Sequence, residues 1–590
     1  MRVRLVAALL AVPLFVAACT GVPHSSDPSV VEQQGIDVQS SGEVPPPEKG
    51  ADPRTVVQEF LNANGAADPV NGGAQFLTPQ GKSHWAPTSS TIVANLHIGA
   101  FSGGPSSGRV EITGTKVGTV DHAGVYTPGL TGDGSDGGQP VAQTFAMQTV
   151  RGEWRINNLQ NGLLLTQAQF NTYRQHPIYF FDIAEQQLVP DPRWGPEDPP
   201  AKLAATLIDL LASGPRDQLQ ADETTELPAQ TNPANVVVTM VSKGADKGLT
   251  KIEIPQASQL GATSRNQLAA QIARTLVPQV SGIDQMEITD NQVPVSIPLA
   301  HGPIFTAEVV TAPYVGFPSV VALYYLRNGG VIAAASGRPL PGRIGNGAFG
   351  LDSAALRSGP VGKGMLVAAT RKDRSAFDIG TTVSGGQLTA VALPPGPLSR
   401  PDWTPGTRNV EAWVGDGSKL FRVGLDGVAR QINVTEPNGI ATPRISAVRL
   451  SPEGSRVAMV LTNADQSAQI WIGAVVRTSG QVRVDNLTPI SPQQVDILDV
   501  AWNDELKLFA VGHNANTQAS SFYEVQVDGS LWTSDGIQNL PPGPDAITAS
   551  EGIVAAVSSG GTIWQQLGSQ WASPRGTGQE VTGTNPIYSK

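Results

Sequence analysis

A single cysteine, Cys19, stands in 590 residues. One thiol cannot build an intramolecular disulfide framework or a cysteine-rich zinc site. Charge is scarce too: Asp, Glu, Lys and Arg make up 15% of the chain, against roughly 25% in an average soluble protein. The net charge is −11 and no basic run occurs. That argues against a nucleic-acid binder, which needs a basic face to displace counterions. The seven histidines (His24, His84, His97, His122, His176, His301 and His513) are scattered and make neither an i, i+4 pair nor an H-E-x-x-H motif. No metal site is therefore written locally in the sequence. Long apolar runs are missing as well. Leu5 to Ala18 is the exception, and it falls short of the roughly 20 residues that cross a bilayer.

What is present points to a large, turn-rich chain. Hydrophobic residues are 40%, enough to bury real cores, and 64 glycines and 47 prolines favour turns and strands over long helices. At about 100–200 residues per domain, three or four domains are expected.

Arg2 and Arg4 precede the apolar run, giving residues 1–18 the build of a signal peptide. The run ends Val16-Ala17-Ala18-Cys19. This resembles a lipobox, and the resemblance implies diacylglyceryl on the Cys19 sulfur and an acyl chain on its freed amine. Two or more chains anchor stably where one does not. Residues 19–50 are polar, with a proline triplet at Pro45–Pro47, and read as a lipid-anchored tether. About 30 flexible residues span roughly 30 Å.

Residues 51–172 read as an α+β domain. Val56, Val57, Phe60 and Leu61 give Asp52–Asn64 a helical apolar face. Strand patterns follow at 92–98, 109–113, 116–120, 141–150 and 154–157. One helix followed by a curved antiparallel sheet resembles NTF2-like or cystatin-like domains, with TVRGEWRINNLQNGLLL as a closing strand.

A second α+β unit occupies 173–305. Strands are expected at Ile178–Phe181, Leu188–Pro190, Val236–Val241, Leu249–Ile254 and Met286–Thr289, and helices at Ala201–Ala212 and Arg265–Val277. The YFF at Tyr179–Phe181, the LVP at Leu188–Pro190 with Arg193 beyond, the LLASGP at Leu210–Pro215 and the AAQIARTLV at Ala269–Val277 resemble a GerMN domain. That resemblance implies a binding or scaffolding module of the cell envelope without catalytic residues. These residue types are equally those of an ordinary core, so they identify a fold rather than a site.

Residues 306–590 change to short strands and turns. Leu356, Trp403, Leu450 and Trp502 sit in related segments stepping by 47, 47 and 52 residues. That period belongs to a propeller blade. The turn Ser451-Pro452-Glu453-Gly454 resembles that of TolB-like blades. Five or six blades are expected, with the 321–335 hairpin completing the last one. Seven of ten tryptophans lie between Trp403 and Trp571, and packing between blades is their simplest use.

Three motifs carry no chemistry in context. Gly104-Pro-Ser106-Ser-Gly108 matches a nucleophile elbow, but strands flank both sides. Gly345-Asn-Gly347-Ala-Phe-Gly350 matches a dinucleotide fingerprint without a βαβ unit. Asp133-Gly-Ser135-Asp136-Gly-Gly lacks the glutamate of an EF-hand.

The order lipobox, tether, NTF2-like domain, GerMN-like domain and propeller resembles the actinobacterial LpqB lipoproteins over essentially the whole chain. The CTGVP start at Cys19, the GerMN motifs and the domain order carry that resemblance. It implies a non-enzymatic accessory of the MtrA–MtrB two-component system, held on the extracytoplasmic face of the cell membrane. Its partner would be the extracytoplasmic part of the sensor histidine kinase MtrB, in cell-wall homeostasis and cell division. No catalytic, cofactor or metal residue is assigned; Cys19 is the one site residue. Binding of an envelope polymer such as peptidoglycan is the alternative, which exposed propeller tryptophans or tyrosines would favour. Hydrolysis by two carboxylates about 5–10 Å apart ranks third.

Overall fold

A computed structural model describes residues 44–590 except 67, 131–137, 185, 230, 233–234, 245, 315–320, 361, 363, 384, 407–408, 436–442, 479, 493–494, 535–539, 551–552 and 576–578. The chain divides by contact into Met1–Asp37 and Val38–Lys590, and every described residue belongs to the second unit. Cys19, the signal peptide, most of the tether and the Asp133–Asp136 loop therefore lie outside the described residues.

The first domain is nucleated by the helix Pro53–Asn64. Asp52 caps it, its carboxylate accepting from the backbone N–H groups of Arg54 (2.9 Å) and Thr55 (3.2 Å). Such a cap satisfies two donors that the helix leaves open. The helix lays Val56, Val57, Phe60 and Leu61 on a sheet, where the Phe60 ring meets Trp85 and Phe145 edge-on at 5.5 and 5.8 Å. The sheet runs in the order Glu153–Asn158, Pro140–Val150, Ser107–Asp121, Ser90–Gly103, Leu163–Leu165. The two strands expected at 109–113 and 116–120 are one continuous strand, Ser107–Asp121. Gly114, which reads as a breaker in the sequence, is what permits it: an added Cβ would overlap the Asn95 carbonyl of the neighbouring strand. Gly104 and Ser106 lie in the hairpin turn before it.

The middle domain packs the hairpin Arg174–Asp182 and Leu188–Gly195, the helices Pro200–Ala212 and Ala262–Leu276, and a sheet of Val237–Met240, Leu249–Glu253, Gln285–Asp290 and two short strands. Ile178, Phe180, Leu207, Leu211, Ile252, Leu268, Ile272 and Ile288 share one core. The LVP strand and the LLASGP turn meet in a buried knot. Arg193 donates to the Asp191 carboxylate (2.6 Å) and to the Gly214 carbonyl (3.0 Å), and Arg216 closes on Asp191 from the other side (2.5 Å). Burial alone would push the Asp191 carboxyl up, but Arg216 and Arg193 hold it below its ordinary range. Gly214, at φ +82°, supplies the left-handed turn that brings its carbonyl to Arg193.

The remainder is a six-bladed propeller. Four-stranded blades are built from 351–391, 402–434, 444–489, 495–533 and 544–572. The sixth has Thr584–Tyr588 innermost, pairing antiparallel with Leu323–Arg327, which in turn pairs with Gly330–Ala333. Leu356, Trp403, Leu450 and Trp502 fall on the innermost strands of the first four blades.

A separate apolar layer fills each of the six interfaces between blades. Ala368 and Phe377 face Trp403 and Val414; Trp413 and Ile432 face Leu450 and Met459; Val460 and Ile470 face Val500 and Leu508. Phe509 and Phe522 face Val557 and Trp571, Ile563 faces Tyr325, and Leu326 and Ile587 face Leu351 and Val367. The tryptophans work as interblade wedges with a polar handle. Trp403 Nε1 donates to the Ala355 carbonyl one blade back (3.1 Å), and Trp502 Nε1 to the Arg449 carbonyl (2.9 Å). The fingerprint-like glycines, Gly345 to Gly350, form turns leading into the first blade, as the missing βαβ unit implied.

Candidate functional site

The six innermost strands enclose a channel. Its main cavity, about 1180 Å³, is lined by residues of all six, among them Arg357, Asp402, Arg449, Trp502, Ile547 and Lys590. Gln187, Leu188, Arg274 and Tyr314 of the middle domain line the same cavity, so that domain stands at one mouth. A smaller cavity of about 320 Å³ opens beside Arg374, Arg444, Asp496 and His513. Arg400 lines both and marks the waist.

An ion cluster ties the waist together. Asp499 takes the Arg400 guanidinium on one carboxylate oxygen and Arg449 on the other (2.9 Å), while the Ile547 N–H also donates to it (2.9 Å). Arg400 further donates to the Pro586 carbonyl (3.3 Å). Burial pulls the Arg400 guanidinium down to about 10, with Asp499 opposing that and Arg449 reinforcing it. The cluster thus joins the strands of blades three, four, five and six. Two arginines share one carboxylate, leaving positive charge in excess.

Higher in the channel, Lys590 Nζ donates to Asp402 (2.5 Å) and to the carbonyls of Trp403 (2.9 Å) and Leu450 (3.3 Å). Arg357 donates to the carbonyls of Thr404 and Gly406. Among the described residues no carboxylate forms an ion pair with Arg357, and burial alone lowers its proton affinity.

The middle domain is fixed to the propeller by polar contacts. Arg274 lies 4.9 Å over the Tyr179 ring and pairs with Glu505 (3.5 Å), to which the Tyr179 hydroxyl also donates (3.1 Å). The Arg477 N–H donates to Asp222 (3.2 Å). Burial, with the neighbouring Asp182 charge, pushes the Asp222 carboxyl up to about 8, and the adjacent Glu223 is pushed well up as well. All three domains meet at Trp194. Its ring packs on Phe170 (4.9 Å), its backbone N–H donates to the Gly124 carbonyl (2.7 Å), and its Nε1 donates to Asp528 of the fourth blade (2.7 Å).

Tyr179 and Arg274, which read as core residues of the middle domain, are therefore half of an interface. The channel cations have no local signature, because Arg357, Arg400, Arg449 and Lys590 are isolated in sequence. The one available signal was that two of them adjoin a repeat position, Arg357 beside Leu356 and Arg449 beside Leu450.

Other candidate chemistry is dispersed. Asp182 and Asp222 form a buried carboxylate pair, and neither lines the two cavities described above. Among the described residues no three His, Cys, Asp or Glu side chains could hold a metal.

Family models match the chain in domain order: the N-terminal domain of lipoprotein LpqB over residues 46–171, a sporulation and spore-germination (Germane) domain over 177–296, and the LpqB beta-propeller domain over 330–589. The chain belongs to the LpqB lipoprotein family. Lipoprotein LpqB of Nocardia farcinica is 27% identical across 95% of this chain and 93% of its own length. That of Rhodococcus jostii is 29% identical across 80% of this chain and 79% of its own. Among solved structures, a putative TolB from Agrobacterium tumefaciens is similar over 45% of this chain and 90% of its own, at 12% identity and a TM-score of 0.29. These LpqB relatives carry the name of a lipoprotein, not of an enzyme.

Proposed function

We propose that the protein is anchored by lipid on Cys19 to the extracytoplasmic face of the cell membrane. There it modulates an MtrB-like sensor histidine kinase, and through it signalling in cell-wall homeostasis and cell division. The observation that carries this reading is the kinship with LpqB lipoproteins across nearly the full chain, including the Nocardia relative. The Val16-Ala17-Ala18-Cys19 sequence supports the anchor. Among the described residues no helix is long and apolar enough to cross a membrane. Tethering raises the local concentration of two membrane-bound partners, so a weak contact suffices.

Binding of an envelope glycan finds less support. It needs exposed aromatic platforms, whereas Trp403, Trp413, Trp471, Trp502 and Trp571 are buried and Trp532 and Trp564 half-buried. Crosslinking in native membranes tests the proposal, with Cys19→Ala as the anchoring control. A crosslink from the middle domain or propeller to the kinase's extracytoplasmic part, weakened in Cys19→Ala, is expected. A correctly anchored protein that never crosslinks to the kinase refutes direct contact.

A further inference from the structure

The described channel is electrically unbalanced in an acidic protein. At its centre stand Arg357, Arg400, Arg449 and Lys590, opposed by Asp402 and Asp499; Glu453 and Glu505 also line it, but each is matched by an arginine, Arg456 and Arg274. Lys590 is committed to Asp402, and Arg400 and Arg449 divide Asp499. Arg357 donates to neutral carbonyls and, among the described residues, pairs with no carboxylate. Two positive charges remain in excess, and a main-chain carboxylate on Lys590 would still leave one.

These cations converge. Lys590 Nζ sits on the Trp403 carbonyl and Arg357 on that of the next residue, Thr404. Lys590 Nζ also reaches the carbonyl of Leu450, the neighbour of Arg449. Arg357 and Arg400 are 6% and 7% exposed, and the Nε of each has no hydrogen-bond partner. Burying guanidinium groups without matching carboxylates is costly. An oxyanion in the cavity would offset that cost, and guanidinium and ammonium groups recognise phosphate oxygens through charge-assisted hydrogen bonds.

We propose that the propeller channel is a binding site for a phosphate-type oxyanion, held by Arg357, Arg449 and Lys590 and admitted past the middle domain. The cavity, about 1180 Å³, exceeds the usual small-ligand range of roughly 300–1,000 Å³. It therefore has room for the free ion or for a phosphate monoester on a larger group. The oxyanion site does not rest on the proposed kinase contact.

The test is calorimetric titration of the full chain in detergent with inorganic phosphate, with glycerol phosphate, and with chloride at matched ionic strength. Saturable binding of phosphate or glycerol phosphate, absent with chloride, is expected. Tighter binding of glycerol phosphate assigns the site to a monoester, and equal or weaker binding to the free ion. Arg357→Gln should weaken binding about tenfold, whereas Asp402→Asn, which removes an opposing charge, should strengthen it. No saturable binding by the wild-type chain overturns the proposal. So does unchanged affinity in an Arg357→Gln protein whose circular dichroism matches wild type.

Discussion

Replacing Asp499 with alanine tests how the ring is held. The change strands Arg400, which is buried, and Arg449, which is half-buried, and leaves the Ile547 N–H without its acceptor. Removing one partner of a buried ion pair costs about 3–5 kcal/mol, and an orphaned buried donor costs about 1–3 kcal/mol. The contributions overlap, so a loss of about 4 kcal/mol is expected for Asp499→Ala. Asp499→Asn keeps an acceptor for Ile547 and should lose about half as much. Urea unfolding followed by tryptophan fluorescence reads the propeller, which holds seven of the ten tryptophans. Three domains need not unfold together, so the propeller transition is fitted separately. With a slope on the order of 3 kcal/mol per molar urea, the alanine midpoint should fall by more than about 1 M. A shift under about 0.3 M with an unchanged slope would refute the view that this cluster clasps the ring. If the channel binds phosphate, the ion should stabilise Asp499→Ala more than wild type, because it restores negative charge beside the same arginines.

Other expectations follow from the same physics. Asp222 holds its proton up to about pH 8 in the folded protein, while an unfolded chain releases it near 4. The unfolded state thus binds fewer protons across that window, and stability falls as pH rises from about 4 to 8. Asp222→Asn should flatten the decline, read as melting temperature against pH; an unchanged slope would count against the interface as its origin. Asp191→Ala uncovers Arg193 and Arg216 together and should destabilise the middle domain by about 3–5 kcal/mol, measurable as early loss of hydrogen-exchange protection in Ala262–Leu276. Gly454 has φ +83°, and an added Cβ would stand 3.1 Å from Pro405. Gly454→Ala should cost about 1–2 kcal/mol in a thermal melt, and a neutral result would show that the turn relaxes.

Much of this architecture was legible because it is local. The helix at Pro53–Asn64 follows from its apolar spacing, and the blades from the 47-residue step between Leu356, Trp403 and Leu450. Pairings that join distant segments were hidden. Nothing near Leu323 announces Tyr588 as its partner, and nothing near Tyr179 announces Glu505. Channel chemistry was hidden for the same reason. Each blade contributes one or two charges, and only closure of the ring makes Arg357, Arg449 and Lys590 neighbours.

The sixth blade has a consequence for synthesis. Its inner strand, Thr584–Tyr588, is made after the other five blades and joins a hairpin begun at Leu323. Until that strand emerges, the outward faces of blades one and five, carrying Leu351, Val367 and Ile563, have no lid. Closing a loop of this length costs on the order of 5 kcal/mol in chain entropy, recovered only when both faces are covered at once. Premature release of the chain would therefore leave two sticky edges rather than a smaller propeller, and envelope proteases could distinguish the finished molecule from the unfinished one.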